Sequence, residues 1–159
     1  MNEKFILDAC CGGRMFWFEK HHPNALYIDI RKEKNISKHR PNFEVQPDQI
    51  MDFRKLELED KSFKLVVWDP PHTRRLRETS EFRKKYGSLD PETYPHDLAK
   101  GFKEIWRVLE NHGVLIFKWN ETEIPLKEIL DLFPEKPLFG HTTNKKNTTH
   151  WLCFMKIPK

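Results

Sequence analysis

Leu65-Val66-Val67-Trp68-Asp69-Pro70-Pro71-His72 is the stretch that decides the fold. Val66, Val67 and Trp68 are strand formers, and neither Pro70 nor Pro71 can continue a central strand. The strand therefore stops at Asp69 and delivers a carboxylate, a stiff turn and an imidazole to one edge of a sheet. In open α/β sheets that carboxyl edge is where ligands bind. A strand end followed by a Pro-rich turn fits these eight residues equally well, so their neighbours have to decide.

Upstream, Phe5-Ile6-Leu7 predicts a short buried strand that ends at Asp8 and runs into Ala9-Cys10-Cys11-Gly12-Gly13. Met15-Phe16-Trp17-Phe18 predicts a short helix stopped by Pro23. Ala25-Leu26-Tyr27-Ile28 is a second strand ending at Asp29, residues 31–40 form a charged loop, and Phe43-Glu44-Val45 reads as a third short strand. Asp52-Phe53 then leads through Glu59-Asp60-Lys61-Ser62 to the strand that ends at Asp69.

Downstream, residues 73–92 are polar and basic, with Gly87 and Pro91, and predict a long loop with at most a short helix. Loops of that length often carry function. Leu98, Phe102, Ile105, Trp106 and Leu109 recur at helical spacing, and Asn111-His112-Gly113 ends that helix. Val114-Leu115-Ile116-Phe117 is a buried strand finishing at Lys118-Trp119-Asn120. Pro125 opens a helix with Leu126, Ile129, Leu130 and Phe133 on one face, and Pro134 closes it. Leu138-Phe139-Gly140-His141 and the run from His150 to Met155 predict a terminal antiparallel hairpin turning at Asn144-Lys145-Lys146-Asn147. Strands alternating with helices give a parallel sheet, to which the hairpin adds one reversed strand. The expectation is an α/β sandwich.

At 159 residues the chain predicts one domain, 1–159, without a separate target-recognition domain. Charged residues make up 33% and hydrophobic ones 38%, which reads as globular. No apolar run approaches the roughly 18 residues that span a bilayer. The opening residues are too few and too soon charged for a signal peptide. Cys10, Cys11 and Cys153 offer neither a disulfide framework nor metal-ligand spacing, so no metal is expected and a reducing cytoplasm is the natural setting. The net charge of +4 permits a polyanionic partner, DNA or RNA, without requiring one. Positive charge gathers at Arg74, Arg75 and Arg77, directly after the Asp-Pro-Pro-His turn, and at Arg83-Lys84-Lys85. Such runs are more often solvated faces than binding sites.

Over nearly its whole length the chain resembles the class I S-adenosylmethionine-dependent methyltransferases. Asp8 precedes a glycine pair, Asp29 follows the second strand, and Asp52 precedes the fourth, in that family's order. The resemblance implies a Rossmann-like sandwich and S-adenosylmethionine held by Asp8, Ala9, Cys10, Gly12, Gly13, Asp29, Ile30, Asp52, Phe53 and Asp69. Gly12 and Gly13 would let the backbone approach the methionine moiety. Asp29 would accept from the ribose hydroxyls, and Asp52 with Phe53 would hold the adenine. Cys10 stands where the family usually has its first glycine. Cys10 and Cys11 read as packed residues rather than nucleophiles.

Asp69-Pro70-Pro71-His72 is similar to the Asp/Asn-Pro-Pro-aromatic motif of methyltransferases acting on exocyclic amino groups such as adenine N6. A conjugated amino group is a poor nucleophile because its lone pair is delocalised. Asp69 and the Pro70 carbonyl can accept its hydrogens and turn that lone pair toward the sulfonium methyl, for a direct in-line displacement. His72, where the motif has a larger aromatic, can stack on a base or act as a general base. In this fold the strands before Asp69 and before Lys118 are neighbours. Lys118, Trp119 and Asn120 are therefore expected to face the same pocket as His72, with Arg74 and Arg75 at the substrate side and Trp119 as either a stacking wall or a core tryptophan. The overall pattern looks like the small stand-alone methyltransferases of bacteria and phages. Three functions follow: a nucleic-acid amino-methyltransferase, a methyltransferase for a small molecule or protein side chain, and a non-catalytic cofactor-binding subunit.

Overall fold

The computed structural model describes residues 3–74, 77, 79–143 and 145–159. Its strands are β1 (Ile6–Asp8), β2 (Ala25–Asp29), β3 (Gln49–Ile50), β4 (Phe63–Trp68), β5 (Leu109–Asn120), β6 (Phe139–Thr143) and β7 (Thr149–Met155). Its helices are α1 (Glu81–Tyr86), α2 (Tyr94–Val108) and α3 (Leu126–Asp131). All seven strands join one sheet in the order β3-β2-β1-β4-β5-β7-β6. The first five run parallel, and β7 is inserted antiparallel between β5 and β6. The expected parallel sheet with one reversed strand is what forms. Strand order changes direction between β1 and β4, where Asp8 pairs with Val67, so the crevice outside the carboxyl ends opens there.

The main core lies on the α2 face of the sheet. Trp68, Phe102, Phe117, Phe133 and Phe154 interlock there, with Phe102 stacked on Phe133 at 4.3 Å and Trp68 tilted on Phe117 at 5.2 Å. Leu98, Phe102 and Ile105 supply the helix side of this contact, as their spacing predicts. Pro95 sits in the first turn of α2. The fixed φ of proline and its missing N–H suit that position.

Local structure departs from expectation at three places. Residues 15–18 form turns, with no helix. Arg14 adopts φ 53 and ends any helical course, and its buried guanidinium donates to the Lys20 and Gln46 carbonyls while lying 3.8 Å over the Tyr27 ring. The apolar spacing at Phe16 and Trp17 reflects anchors on the sheet. The third strand is Gln49–Ile50, and Val45 makes only an isolated bridge to Glu33. Its register comes from Asp48, whose carboxylate accepts from the Tyr27 amide at 3.1 Å. Finally, α2 ends at Val108 and β5 begins at once. Asn111-His112-Gly113 forms a bulge within that strand, where His112 takes φ 64 and the pairing with β4 shifts register. Among the described residues no helix is long and apolar enough to cross a membrane.

Candidate active site

Pro70 and Pro71 end β4 and leave the Asp69 carboxylate at the crevice. There Asp69 Oδ2 accepts from Lys118 Nζ at 3.0 Å, and among the described residues Oδ1 takes no hydrogen bond. Lys118 follows from the strand geometry. Successive side chains of β5 alternate in face, so Lys118 and Asn120 look into the crevice while Trp119 looks into the core. Burial pushes the Asp69 carboxyl above its ordinary range, and the adjoining Lys118 ammonium pulls it back.

Two cavities share this edge. One, of about 330 Å³, is lined by Gly12, Gly13, Asp69, Pro70, His72 and Lys118 among others. The second, of about 450 Å³, includes Ala9, Ile30, Asp52, Phe53 and Pro71. Cys10, Asp29, Arg31 and Tyr86 border both, which makes them two halves of one elongated crevice. The helix α1 crosses above. Arg31 donates to the Lys84 carbonyl at 2.7 Å, and Glu81 accepts from the Ser37 hydroxyl and the Lys38 amide. Phe82, Lys85 and Tyr86 thereby line the first cavity. Nothing local in the sequence marks this contact, because the partners lie more than forty residues apart.

Three carboxylates meet around Cys10. Asp8 is fully buried beneath the turn, accepting from the Trp17 indole at 2.8 Å and the Cys10 amide at 3.3 Å, and it lines neither cavity. Burial raises its carboxyl from 3.8 to about 7 against those two hydrogen bonds. Asp29 accepts from the Gly12 amide and the Arg31 amide, each at 2.9 Å, so its oxygens hold the loop in place. The Cys10 thiol is pushed well above its ordinary range by burial and then by Asp29, Asp69 and Asp8, and burial takes Cys11 to about 12. Both thiols stay protonated. The same negative field suits a bound cation such as a sulfonium or an ammonium.

The glycine pair serves two different ends. Gly12 takes φ 48 at the crevice floor, whereas a Cβ on Gly13 would come within 2.5 Å of the Phe43 ring. Phe53 lies edge-on to Trp68 at 5.4 Å and presents a wall to the second cavity. Asp52 beside it is held by Arg54, whose Nη2 approaches to 2.6 Å.

On the substrate side the placements diverge. His72 sits edge-on to Phe82 at 5.7 Å and to Trp119 at 6.2 Å. Burial, reinforced by the Lys118 charge, lowers its imidazole from 6.5 to about 4, so it is neutral at physiological pH. Trp119 is fully buried, with its indole N–H on the Ile124 carbonyl at 3.0 Å; it is the core tryptophan of the two alternatives and supports His72 from beneath. Asn120 lines the first cavity while donating to Thr149 at 3.0 Å. Arg74 turns away to Glu123 at 3.2 Å and to the Tyr94 hydroxyl at 3.2 Å. Arg75 lies outside the described residues.

No protein-family model and no curated protein matches this sequence. Solved structures do. A methyltransferase from Methanosarcina mazei described as S-adenosylmethionine-dependent superposes with TM-score 0.56 at 11% identity, covering 100% of this chain and 95% of that one. The fold is that of the S-adenosylmethionine-dependent methyltransferases. The PH0226 protein of Pyrococcus horikoshii OT3 gives TM-score 0.61 at 15% identity over 99% of this chain and 83% of its own. An rRNA methylase from Streptococcus thermophilus gives 0.57 at 10% identity over 98% and 89%. In this fold the crevice of the present chain lies at the carboxyl edge, with its acids at successive strand ends.

The Lys118 ammonium has a testable role. Among the described residues Lys118 is the cation that holds the Asp69 carboxyl down, so in Lys118→Met the acid limb of any Asp69-dependent activity moves to higher pH. On the falling limb, each pH unit of that movement lowers activity about tenfold. A pH–rate profile measures this, and an unmoved acid limb would separate Lys118 from Asp69.

Proposed function

We propose that this chain is a methyltransferase that uses S-adenosylmethionine and methylates an exocyclic amino group of a nucleic-acid base, with adenine N6 the favoured position. The observation that carries the reading is the Asp69 carboxylate, fixed by two prolines at the crevice, with Oδ2 on Lys118 and Oδ1 open. The residues fit the cofactor. The elongated crevice has an acid-rich centre around Cys10 and Asp29 for a cation, and a half bounded by Asp52 and Phe53 for an adenine. When bound, S-adenosylmethionine supplies a methyl group made electrophilic by its sulfonium.

The chain's own residues would then orient the acceptor. Asp69 Oδ1 and the Pro70 carbonyl take the two amino hydrogens, which turns the nitrogen lone pair across the crevice. Lys118 favours the ionised form of Asp69 and so preserves its accepting power. Because His72 is neutral with a strongly lowered pKa, it is a weak base but an uncharged flat ring, which favours stacking over proton abstraction. Asp69 can also take the proton that the methylated nitrogen releases.

Incubation with labelled S-adenosylmethionine and mixed DNA and RNA, followed by nucleoside digestion and mass spectrometry, tests the reading. N6-methylated adenine nucleoside is expected. Tight cofactor binding with no methylated nucleoside would overturn it. The Streptococcus thermophilus rRNA methylase of the same fold is compatible with an RNA acceptor.

A small-molecule or protein acceptor is the second reading, and Arg74 favours it, because that guanidinium is committed to Glu123 and Tyr94. Acceptor binding that weakens steeply with salt supports nucleic acid, and salt-insensitive binding supports the second reading.

A further inference from the structure

The helix α2, through Phe102, and the segment after α3, through Phe133, pack on one face of the sheet against Phe117 and Phe154. Among the described residues, the turn that follows β1, and no helix, roofs the opposite face. There Trp17 lies edge-on to Tyr27 at 4.9 Å, and Phe16 reaches across to Trp151 at 5.4 Å. Beyond that roof the strand register sets Leu65, Val114, Ile116, Met155, Cys153 and Phe139 side by side across β4, β5, β7 and β6. No described helix covers them. Parallel strands are almost always buried on both faces, because their crossover helices lie on both. Here the connections from β1 to β4 are turns and loops, so this part of the second layer is missing.

None of those six side chains carries a charge. Lys118, the cation at the carboxyl end of the face, is already paired with Asp69. Phe139 is 69% exposed, and Leu138 beside it is 54% exposed. The chain as a whole exposes 9580 Å². A compact monomer of 19.2 kDa exposes about 8,400 Å². The whole chain therefore exposes about 1,200 Å² more than a compact monomer of its mass, and Phe139 and Leu138 place part of that excess at this face.

We propose that a second copy of this chain covers this face, whose Leu65, Val114, Ile116, Cys153 and Met155 are half-buried and whose Phe139 is exposed, sheet against sheet about a two-fold axis. A neutral apolar patch is its own complement in such an isologous contact, in which each residue's patch meets the same patch on the partner. A polyanion or a charged peptide would find no counter-charge there. Two sheets packed in this way lie about 10 Å apart, with the side chains of both faces interdigitated.

Sedimentation velocity of the full chain at micromolar concentration is expected to give a species twice the 19.2 kDa chain mass. Phe139→Arg, at an exposed position outside the crevice, is expected to raise the dimer dissociation constant about 100-fold or more while leaving the far-ultraviolet circular dichroism unchanged. Ile116→Glu at the centre of the patch should do the same, and Phe139→Arg carries the test if that variant fails to fold. A wild-type monomer at these concentrations overturns the proposal. So does a dimer unmoved by Phe139→Arg, or a purified complex in which a different polypeptide occupies the face.

Discussion

Replacing Asp69 with alanine is expected to lower methyl transfer by about 10²- to 10³-fold, the range seen when one preorganised hydrogen-bonding group is removed from a reacting centre. Asp69 Oδ1 is the acceptor at stake, and Lys118 would be left beside an empty space. Asp69→Asn should lose much less, about tenfold, because its amide oxygen can still accept one amino hydrogen. Initial rates of labelled methyl incorporation measure both variants, and calorimetric binding of S-adenosylhomocysteine separates turnover from cofactor affinity. Full activity in Asp69→Ala would remove the turn from the chemistry altogether.

The second large effect is one of stability against pH, and it is hidden in the wild type. Asp8 has its carboxyl raised from 3.8 to about 7, so the folded state holds a proton that the unfolded chain releases. Its contribution is full below about pH 4 and is lost as pH rises through about 7. His72 moves the other way: its imidazole falls from 6.5 to about 4, so its contribution is full above pH 6.5 and is lost as pH falls through about 4. Over nearly the same window the two protons oppose each other. The two contributions therefore largely cancel there, although alone Asp8 would tilt stability by about 4 kcal/mol and His72 by about 3 kcal/mol. His72→Phe keeps a ring against Phe82 and Trp119 and exposes the Asp8 slope, with stability falling from pH 4 to pH 7. Asp8→Asn exposes the opposite slope, rising over the same range. Urea midpoints across this window measure both. Parallel curves for wild type and His72→Phe would show that the imidazole titrates normally.

How legible these features were in the sequence depends on the distance over which each residue's partner acts. The strand ending at Asp69 was readable because two prolines forbid its continuation, and α2 because its apolar positions keep helical spacing over four turns. Gln49–Ile50 was not readable: it is a strand only because Asp48 and Met51 bond to the β2 backbone, and its own residues carry no pattern. Residues 15–18 misled for the converse reason, since their aromatics cover a sheet and Arg14 breaks the local course.

At the site, the carboxylates were visible as strand ends, whereas their engagements were not. Asp52 is gripped from two residues away by Arg54, Arg74 is diverted to Glu123, and Asp8 is sealed beneath Trp17. Lys118 was legible as a pocket residue at its strand end, whereas its ion pair with Asp69 was readable but not drawn. Period-two alternation sets it on the face opposite Trp119, and a lysine ending a parallel strand beside an acid-ended neighbour points to an ion pair.

The clamp on α1 governs traffic through the crevice. Any occupant that spans both cavities lies beneath Lys85 and Tyr86. Arg31 on the α1 carbonyls, and Glu81 on Ser37 and Lys38, hold that helix in place over the crevice. For the proposed methyl transfer, opening of this strap is expected to be slower than the bond-making step, giving a fast first round followed by a slower steady rate.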